Sequence, residues 1–119
     1  MAKNAKHHQI SYIEFTTPDI AATKTFYSTV FGWNFKDWGP DYIDAQAENT
    51  GMALGFAKSN VPRTATAPLV VLYSSDLQAT EAAIVAAGGS IVTPTFEFPG
   101  GRRFHFSDGT GNVLAVWSE

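Results

Sequence analysis

Two stretches of the chain, Pro18 to Phe35 and Ser75 to Val92, use one pattern twice: an Asp-aliphatic start, an alanine-containing helical run, a glycine stop, then a strand. An offset of 57 residues sets Asp19 on Asp76, Ile20 on Leu77, Ala22 on Ala79, Thr23 on Thr80 and Gly32 on Gly89. One supersecondary unit used twice within 119 residues leaves few architectures open. It also suggests a binding site between the halves.

The flanking segments complete each copy. Ile10 to Thr16 alternates as a strand, with Ile13 and Phe15 on one face and Tyr12 and Glu14 on the other. Thr17-Pro18-Asp19 gives a helix start, with a candidate cap, proline in the first turn and an acid at the positive end of the dipole. Ile20, Thr23, Phe26, Tyr27, Val30 and Phe31 follow at helical spacing, and Gly32 supplies the left-handed stop. Trp33 to Trp38, Tyr42 to Ala47 and Gly51 to Ala57 read as three strands. In the second copy Leu69 to Tyr73 is the opening strand, Ser75 to Gln78 resembles a capping box, and Gly88-Gly89 closes the helix. Ser90 to Phe98, Arg103 to Ser107 and Val113 to Trp117 are the last strands, and Asp108 to Asn112 has the chemistry of a tight hairpin. The expected organisation is a mobile tail over 1–9, a first βαβββ module over 10–58, a proline-containing linker over 59–68 and a second βαβββ module over 69–119.

Composition narrows the function. A chain 45% hydrophobic and 16% charged is ordinary material for one domain, and a net charge of −3 with dispersed cations leaves no basic stripe for nucleic acid. No run approaches the roughly 18 apolar residues of a membrane helix, and Met1 to Gln9 has no apolar core of signal-peptide type. The expected setting is cytoplasmic. Zero cysteines remove disulfides, thiolate metal sites and cysteine nucleophiles together. Gly100-Gly101 and Gly109-Thr110-Gly111 lack the strand and helix context of a phosphate loop.

Thr17-Pro18-Asp19-Ile20, Phe26 to Trp33, Ala87-Gly88-Gly89 and Phe106 to Asn112 together resemble the vicinal oxygen chelate superfamily, the glyoxalase, bleomycin-resistance and extradiol-dioxygenase group. The resemblance runs from about Ile10 to Trp117. It implies an α+β fold in which two βαβββ modules form curved, partly open mixed sheets around a cup. It also implies a metal ligand on the first and last strand of each module in the metal-dependent members. Those positions fall here on Tyr12, Leu69 and Ala115, with the fourth near Gly55. Leucine, alanine and glycine side chains offer no lone pairs, so neither a metal nor another cofactor is expected.

Strand alternation indicates what lines the cup. With Ala115 inward, Val113 and Trp117 follow, and a hairpin pairing Ser107 with Val113 sets His105 across from Ala115 and Arg103 across from Trp117. Phe104 and Phe106 then join the helix-side core. His105 is a candidate acid or base, or a histidine held by one hydrogen bond. Glu14 is a candidate for proton transfer, or a carboxylate paired with Arg103. Tyr12 is a candidate hydrogen-bond donor in the same chemistry. Arg103 suits a substrate carboxylate or phosphate, or is a solvated edge residue. Trp33, Trp38, Tyr42, Tyr73 and Trp117 offer flat surfaces to a ligand, or Trp33 fills the gap after the helix and the others complete the core. His7-His8 reads as a solvated pair. The expected function is metal-independent binding of a small molecule, with lyase or isomerase chemistry by proton transfer at Glu14 or His105. The alternative is a non-catalytic binder that sequesters an antibiotic-like or toxic aromatic compound. A homodimer is expected, since open sheets leave edges that a symmetric partner covers.

Overall fold

The structure is a computed structural model that describes residues 5–61, 68–110 and 112–119. Its elements are β1 (Ile10–Thr17), α1 (Ile20–Phe31), β2 (Lys36–Asp37), β3 (Tyr42–Ala45), α2 (Ala47–Thr50) and β4 (Leu54–Lys58), then β5 (Leu69–Tyr73), α3 (Leu77–Ala86), β6 (Ser90–Phe98), β7 (Gly101–Ser107) and β8 (Val113–Ser118). Most of the expected 59–68 connection, together with Gly111 of the hairpin and the start of the tail, lies outside the described residues.

The repeat is visible at atomic level where α1 and α3 begin. Thr17 Oγ1 accepts from Asp19 N at 3.1 Å and pairs with Thr23 Oγ1 at 2.7 Å, while the Asp19 carboxylate accepts from Ala22 N at 3.0 Å. Fifty-seven residues on, Ser74 Oγ accepts from Asp76 N at 3.0 Å and pairs with Thr80 Oγ1 at 2.7 Å, while Asp76 accepts from Ala79 N at 3.1 Å. The caps are therefore Asp19 and Asp76. Pro18 stands before the cap instead of in the first turn, and the role expected of a Ser75–Gln78 box falls to Asp76. A carboxylate reaches the free N–H groups of the first turn from one position, and the preceding hydroxyl holds the backbone at its entry. The helix ends differ. Gly32 is left-handed at φ +72°, whereas the left-handed residue after α3 is Gly88 at φ +101°, one place earlier than the repeat sets it.

The chain divides into two units, the boundary falling within β1: residues from Tyr12 to Pro68 form the body of one, and Leu69 to Glu119 with the segment ending at Ser11 form the other. In the first unit the strand order is β2-β3-β4-β1, with β1 parallel to β4 and the other neighbours antiparallel. In the second it is β6-β7-β8-β5, with β5 parallel to β8 and the others antiparallel. Each unit is thus an α+β module with an open mixed sheet, and the two share one topology.

One face of each sheet packs on its helix. In the first unit Ile43, Ala45, Leu54 and Phe56 form the buried cluster, and Phe15, Ile20, Tyr27, Trp33 and Phe35 pack against it. Tyr27 and Trp33 stack at 5.2 Å, so Trp33 does fill the gap after the helix. In the second unit Leu77, Phe104 and Val116 are the cluster, with Ile84, Ile91 and Phe106 around it. The strand expected over Trp33 to Trp38 shrinks to Lys36–Asp37 because Trp33 and Phe35 turn into the core. The Asn34 N–H there bonds the Asn49 side chain at 2.6 Å. Likewise the strand expected from Gly51 begins at Leu54, because Ala47–Thr50 winds into a helical turn ended by Gly51 at φ +87°.

The segment expected as a mobile tail is tied down at its end. His8 N donates to Tyr73 O at 2.7 Å and Tyr73 N to Gln9 O at 3.0 Å. His7 Nδ1 accepts from Ser75 N at 3.0 Å. The hairpin loop is closed by Asp108, which takes bonds from Thr110 N at 2.8 Å and Asn112 Nδ2 at 2.9 Å. These donors, the Asn112 amide foremost, hold its carboxyl down at about 2. No helix among the described residues is long and apolar enough to cross a membrane.

Candidate functional site

In the first unit the strand registers line up one row of side chains on the face opposite α1. Lys36 pairs with Asp44, Asp44 with Gly55, and Gly55 with Glu14, so a cation, a carboxyl, a gap and a second carboxyl follow one another across β2, β3, β4 and β1. Both carboxyls are buried: Glu14 is 2% exposed and Asp44 4%. Tyr12, two residues before Glu14 and on the same face, is buried too.

The gap in the row has an occupant. Tyr42 lies over Gly55 so closely that a Cβ there would come within 2.6 Å of its Cζ and nearer still to its hydroxyl. From that seat the Tyr42 hydroxyl donates to Glu14 Oε2 at 3.1 Å. Sequence reading set the fourth ligand position of the resemblance near Gly55, and the ladder sets Gly55 opposite Glu14. The reading took Tyr42 as a flat surface for a ligand or a core ring and missed its bond to Glu14, which depends on a cross-strand neighbour that no local pattern encodes.

Asp44 stands at the other side of the gap. Gln46 Nε2 donates to its Oδ2 at 3.3 Å, while Oδ1 is buried and completes no hydrogen bond. Burial raises its carboxyl above the ordinary value, against the opposing pull of the Trp38 indole and the Lys36 ammonium. The indole N–H acts on the carboxyl from beyond good bonding geometry, since it too lacks a completed bond. Lys36 Nζ sits 4.1 Å from the Trp38 ring centre. Asp44, Lys36 and Trp38 open onto a groove of about 550 Å³ with Phe35, Gln46 and Asn49. Trp38 was expected to offer a flat face to a ligand. It does line a groove, with its ring carrying the Lys36 ammonium.

The second unit realises the expected hairpin register: Ser107 opposes Val113, His105 opposes Ala115 and Arg103 opposes Trp117. Tyr73 pairs with Trp117 from the other side, and their rings meet edge to face at 5.0 Å. Arg103 lies over Phe96 at 5.4 Å and Phe98 at 5.7 Å, and His105 is 5.7 Å from Phe96. Tyr73, Arg103, His105 and Trp117 therefore share one aromatic-walled face. The Tyr73 hydroxyl donates to Glu119 Oε1 at 2.8 Å, and that bond first, with the carboxylate's charge, raises the phenol above its ordinary value. A groove of about 710 Å³ lies beside α3 and takes Arg102, not Arg103.

The positions to which the resemblance assigns metal ligands hold Tyr12, Gly55, Leu69 and Ala115. Among the described residues no three His, Cys, Asp or Glu side chains gather as a metal site would require. The donor set does not fit a divalent ion.

Residues 9–116 match the Glyoxalase/Bleomycin resistance protein/Dioxygenase superfamily. The chain is 26% identical over 128 residues to the CFP32 proteins of Mycobacterium bovis and Mycobacterium tuberculosis, whose names carry the word glyoxylase. The match takes in 98% of this chain and 49% of those proteins, so the chain spans about half the length of the curated relatives it matches. Among solved structures, a protein titled NAD-dependent benzaldehyde dehydrogenase from Legionella pneumophila superposes with a TM-score of 0.71 at 15% identity, over 90% of this chain and 96% of that one. Methylmalonyl-CoA epimerase from Mycobacterium tuberculosis gives 0.70 at 10% identity, over 99% and 92%. The Mn(II)-bound glyoxalase from Novosphingobium aromaticivorans gives 0.67 at 20% identity, over 96% and 40%. These structural likenesses concern the fold.

Proposed function

The chain belongs to the glyoxalase/bleomycin resistance protein/dioxygenase superfamily, and we propose that within it this protein binds small carbonyl compounds without a metal and moves a proton next to the carbonyl. The observation that carries the reading is Glu14, a carboxyl 2% exposed whose Oε2 accepts the Tyr42 hydroxyl, on a sheet with no metal donors at Gly55. In the reaction the C–H bond beside the carbonyl breaks and its proton passes to the Glu14 carboxylate. The electron pair moves onto the carbonyl oxygen. Delivery of a proton to the opposite face of that carbon, or to the former carbonyl carbon of a hydroxy ketone whose hydroxyl gives up its own proton, gives the isomer with no net change of oxidation state. Tyr12 is assigned as a hydrogen-bond donor and His105 as the competing base. Arg103, Tyr73, Trp117 and Trp38 are assigned to ligand binding.

The test is deuterium uptake from solvent, followed by NMR in the presence of EDTA. The probes are methylmalonyl-CoA and the hemithioacetal of methylglyoxal with glutathione. Wild-type protein is expected to exchange at least one probe, and Glu14→Gln to slow it by about 10²–10⁴-fold. His105→Gln serves as the comparison. Full exchange in Glu14→Gln overturns the assignment of the base. Saturable quenching of tryptophan fluorescence with unchanged probe recovered favours sequestration over catalysis. A homodimer belongs to the same proposal, because an open sheet leaves edges that a symmetric partner covers. Light scattering at twice the chain mass is the expected result.

A further inference from the structure

We infer that the groove beside β3 is a binding site for an organic cation, an ammonium or guanidinium group on an apolar body, whose N–H groups bond Asp44 Oδ1. The site does not rest on proton transfer at Glu14. Glu14 does not line this groove, and the Tyr42 ring fills the space over Gly55 between the two carboxyls. Asp44 is 4% exposed, and Gln46 Nε2 reaches only its Oδ2, at 3.3 Å. Its Oδ1 is buried and completes no hydrogen bond, and the residue lines a groove of about 550 Å³. A carboxyl oxygen withdrawn from water without a partner is costly, and a charged N–H donor is the group that best offsets the cost. The volume is that of a site for a small organic molecule.

The groove already holds one cation. Lys36 opposes Asp44 across β2 and β3, and its Nζ stands 4.1 Å from the centre of the Trp38 ring. The indole face is thus a surface that a positive charge occupies. Lys36 is exposed, so its flexible stem can carry the ammonium off the ring into water. Among the described residues the ionisable groups that line the groove are Lys36, Asp44 and Glu48, one cation against two carboxyls. An anionic ligand is repelled by that excess, and a neutral one leaves it uncompensated. Burial holds the Asp44 carboxyl above its ordinary value, and a ligand cation beside Oδ1 opposes that push, as Lys36 already does in part. The ligand's charge takes the place of the Lys36 ammonium between Trp38 and Asp44. Phe35, which also lines the groove, offers the apolar surface for the rest of the ligand.

Titration of the full chain at neutral pH, followed through the indole N–H signals in heteronuclear NMR, tests the site. Benzylamine and benzylguanidine are the cationic probes, and benzyl alcohol is the neutral counterpart. The Trp38 signal is the one missing from Trp38→Phe. At least one cation is expected to shift it saturably, with benzyl alcohol binding about 10-fold more weakly or less. Asp44→Asn is expected to weaken cation binding about 10- to 100-fold, the loss of a hydrogen bond to a charged group. Lys36→Met is expected to tighten it about 2- to 5-fold, because the ring is then open to the ligand. Opposite effects from two neighbouring substitutions separate a cation site from a general disturbance of the fold. No saturable shift with either cation overturns the inference. Equal affinity in Asp44→Asn, benzyl alcohol binding as tightly as benzylamine, or weaker cation binding in Lys36→Met does the same. The readout is binding and needs no turnover, so a protein inert towards the carbonyl probes overturns the Glu14 reading and leaves this one standing.

Discussion

Gly55 is the residue on which the candidate site turns, because its missing side chain is what seats the Tyr42 ring. Gly55→Ala is therefore expected to cost about 1–3 kcal/mol, the range for inserting a methyl group into filled space. The same change in a Tyr42→Ala background is expected to be close to neutral, since the space is then empty. Urea denaturation of the four proteins measures both, and an equal cost in the two backgrounds would refute the seat. Asp44 makes a pH-dependent prediction of its own. Its native carboxyl is raised above the ordinary 3.8, chiefly by burial. Between the unfolded and the native value the folded protein holds more protons than the unfolded chain. Stability therefore falls as pH rises through that window and stays lower above it. Asp44→Asn should remove the decline and be the more stable protein at neutral pH. Chemical denaturation at several pH values reads the difference between the two proteins, and a variant less stable than wild type at neutral pH contradicts the burial penalty.

At the level of elements, the duplicated helix starts invite a paired measurement. Asp19 and Asp76 make the same bonds to Ala22 N and Ala79 N, at 3.0 and 3.1 Å. Asp19→Ala and Asp76→Ala should each cost about 1 kcal/mol, the usual loss of an N-cap. A cost confined to one of them in thermal or urea unfolding would mean that the two starts are alike in geometry and not in energy. The strands of the second module and the β7–β8 register were legible in the sequence, because alternation and a short Asp-Gly loop leave one pairing that buries Phe104 and Val116. Both caps were displaced in the reading, since Thr17 and Ser75 are good cap residues and only the backbone entry angle selects Asp19 and Asp76. The site was half legible. Glu14 and Tyr12 followed from alternation along one strand, whereas Tyr42 and Asp44 needed the β3–β4 pairing. A four-residue strand between two turns leaves that register unspecified until the core forms.

For the molecule as a whole, the two modules repeat a topology more faithfully than a chemistry. The parallel ladders set Gly55 against Glu14 in one unit and Ala115 against Val71 in the other, so the last-strand positions that correspond carry no donor in either. First-strand positions offer Tyr12 and Leu69, and a lone phenol is a poor ligand for a divalent ion. Glu14 adds one carboxylate to that phenol, fewer donors than a divalent ion needs. Calorimetric titration of the full chain with Mn(II) should therefore show no saturable site, and EDTA should leave any proton exchange unchanged. A stoichiometric, EDTA-reversible Mn(II) site that Glu14→Gln abolishes would reverse this, and would recast the buried carboxyl as a ligand.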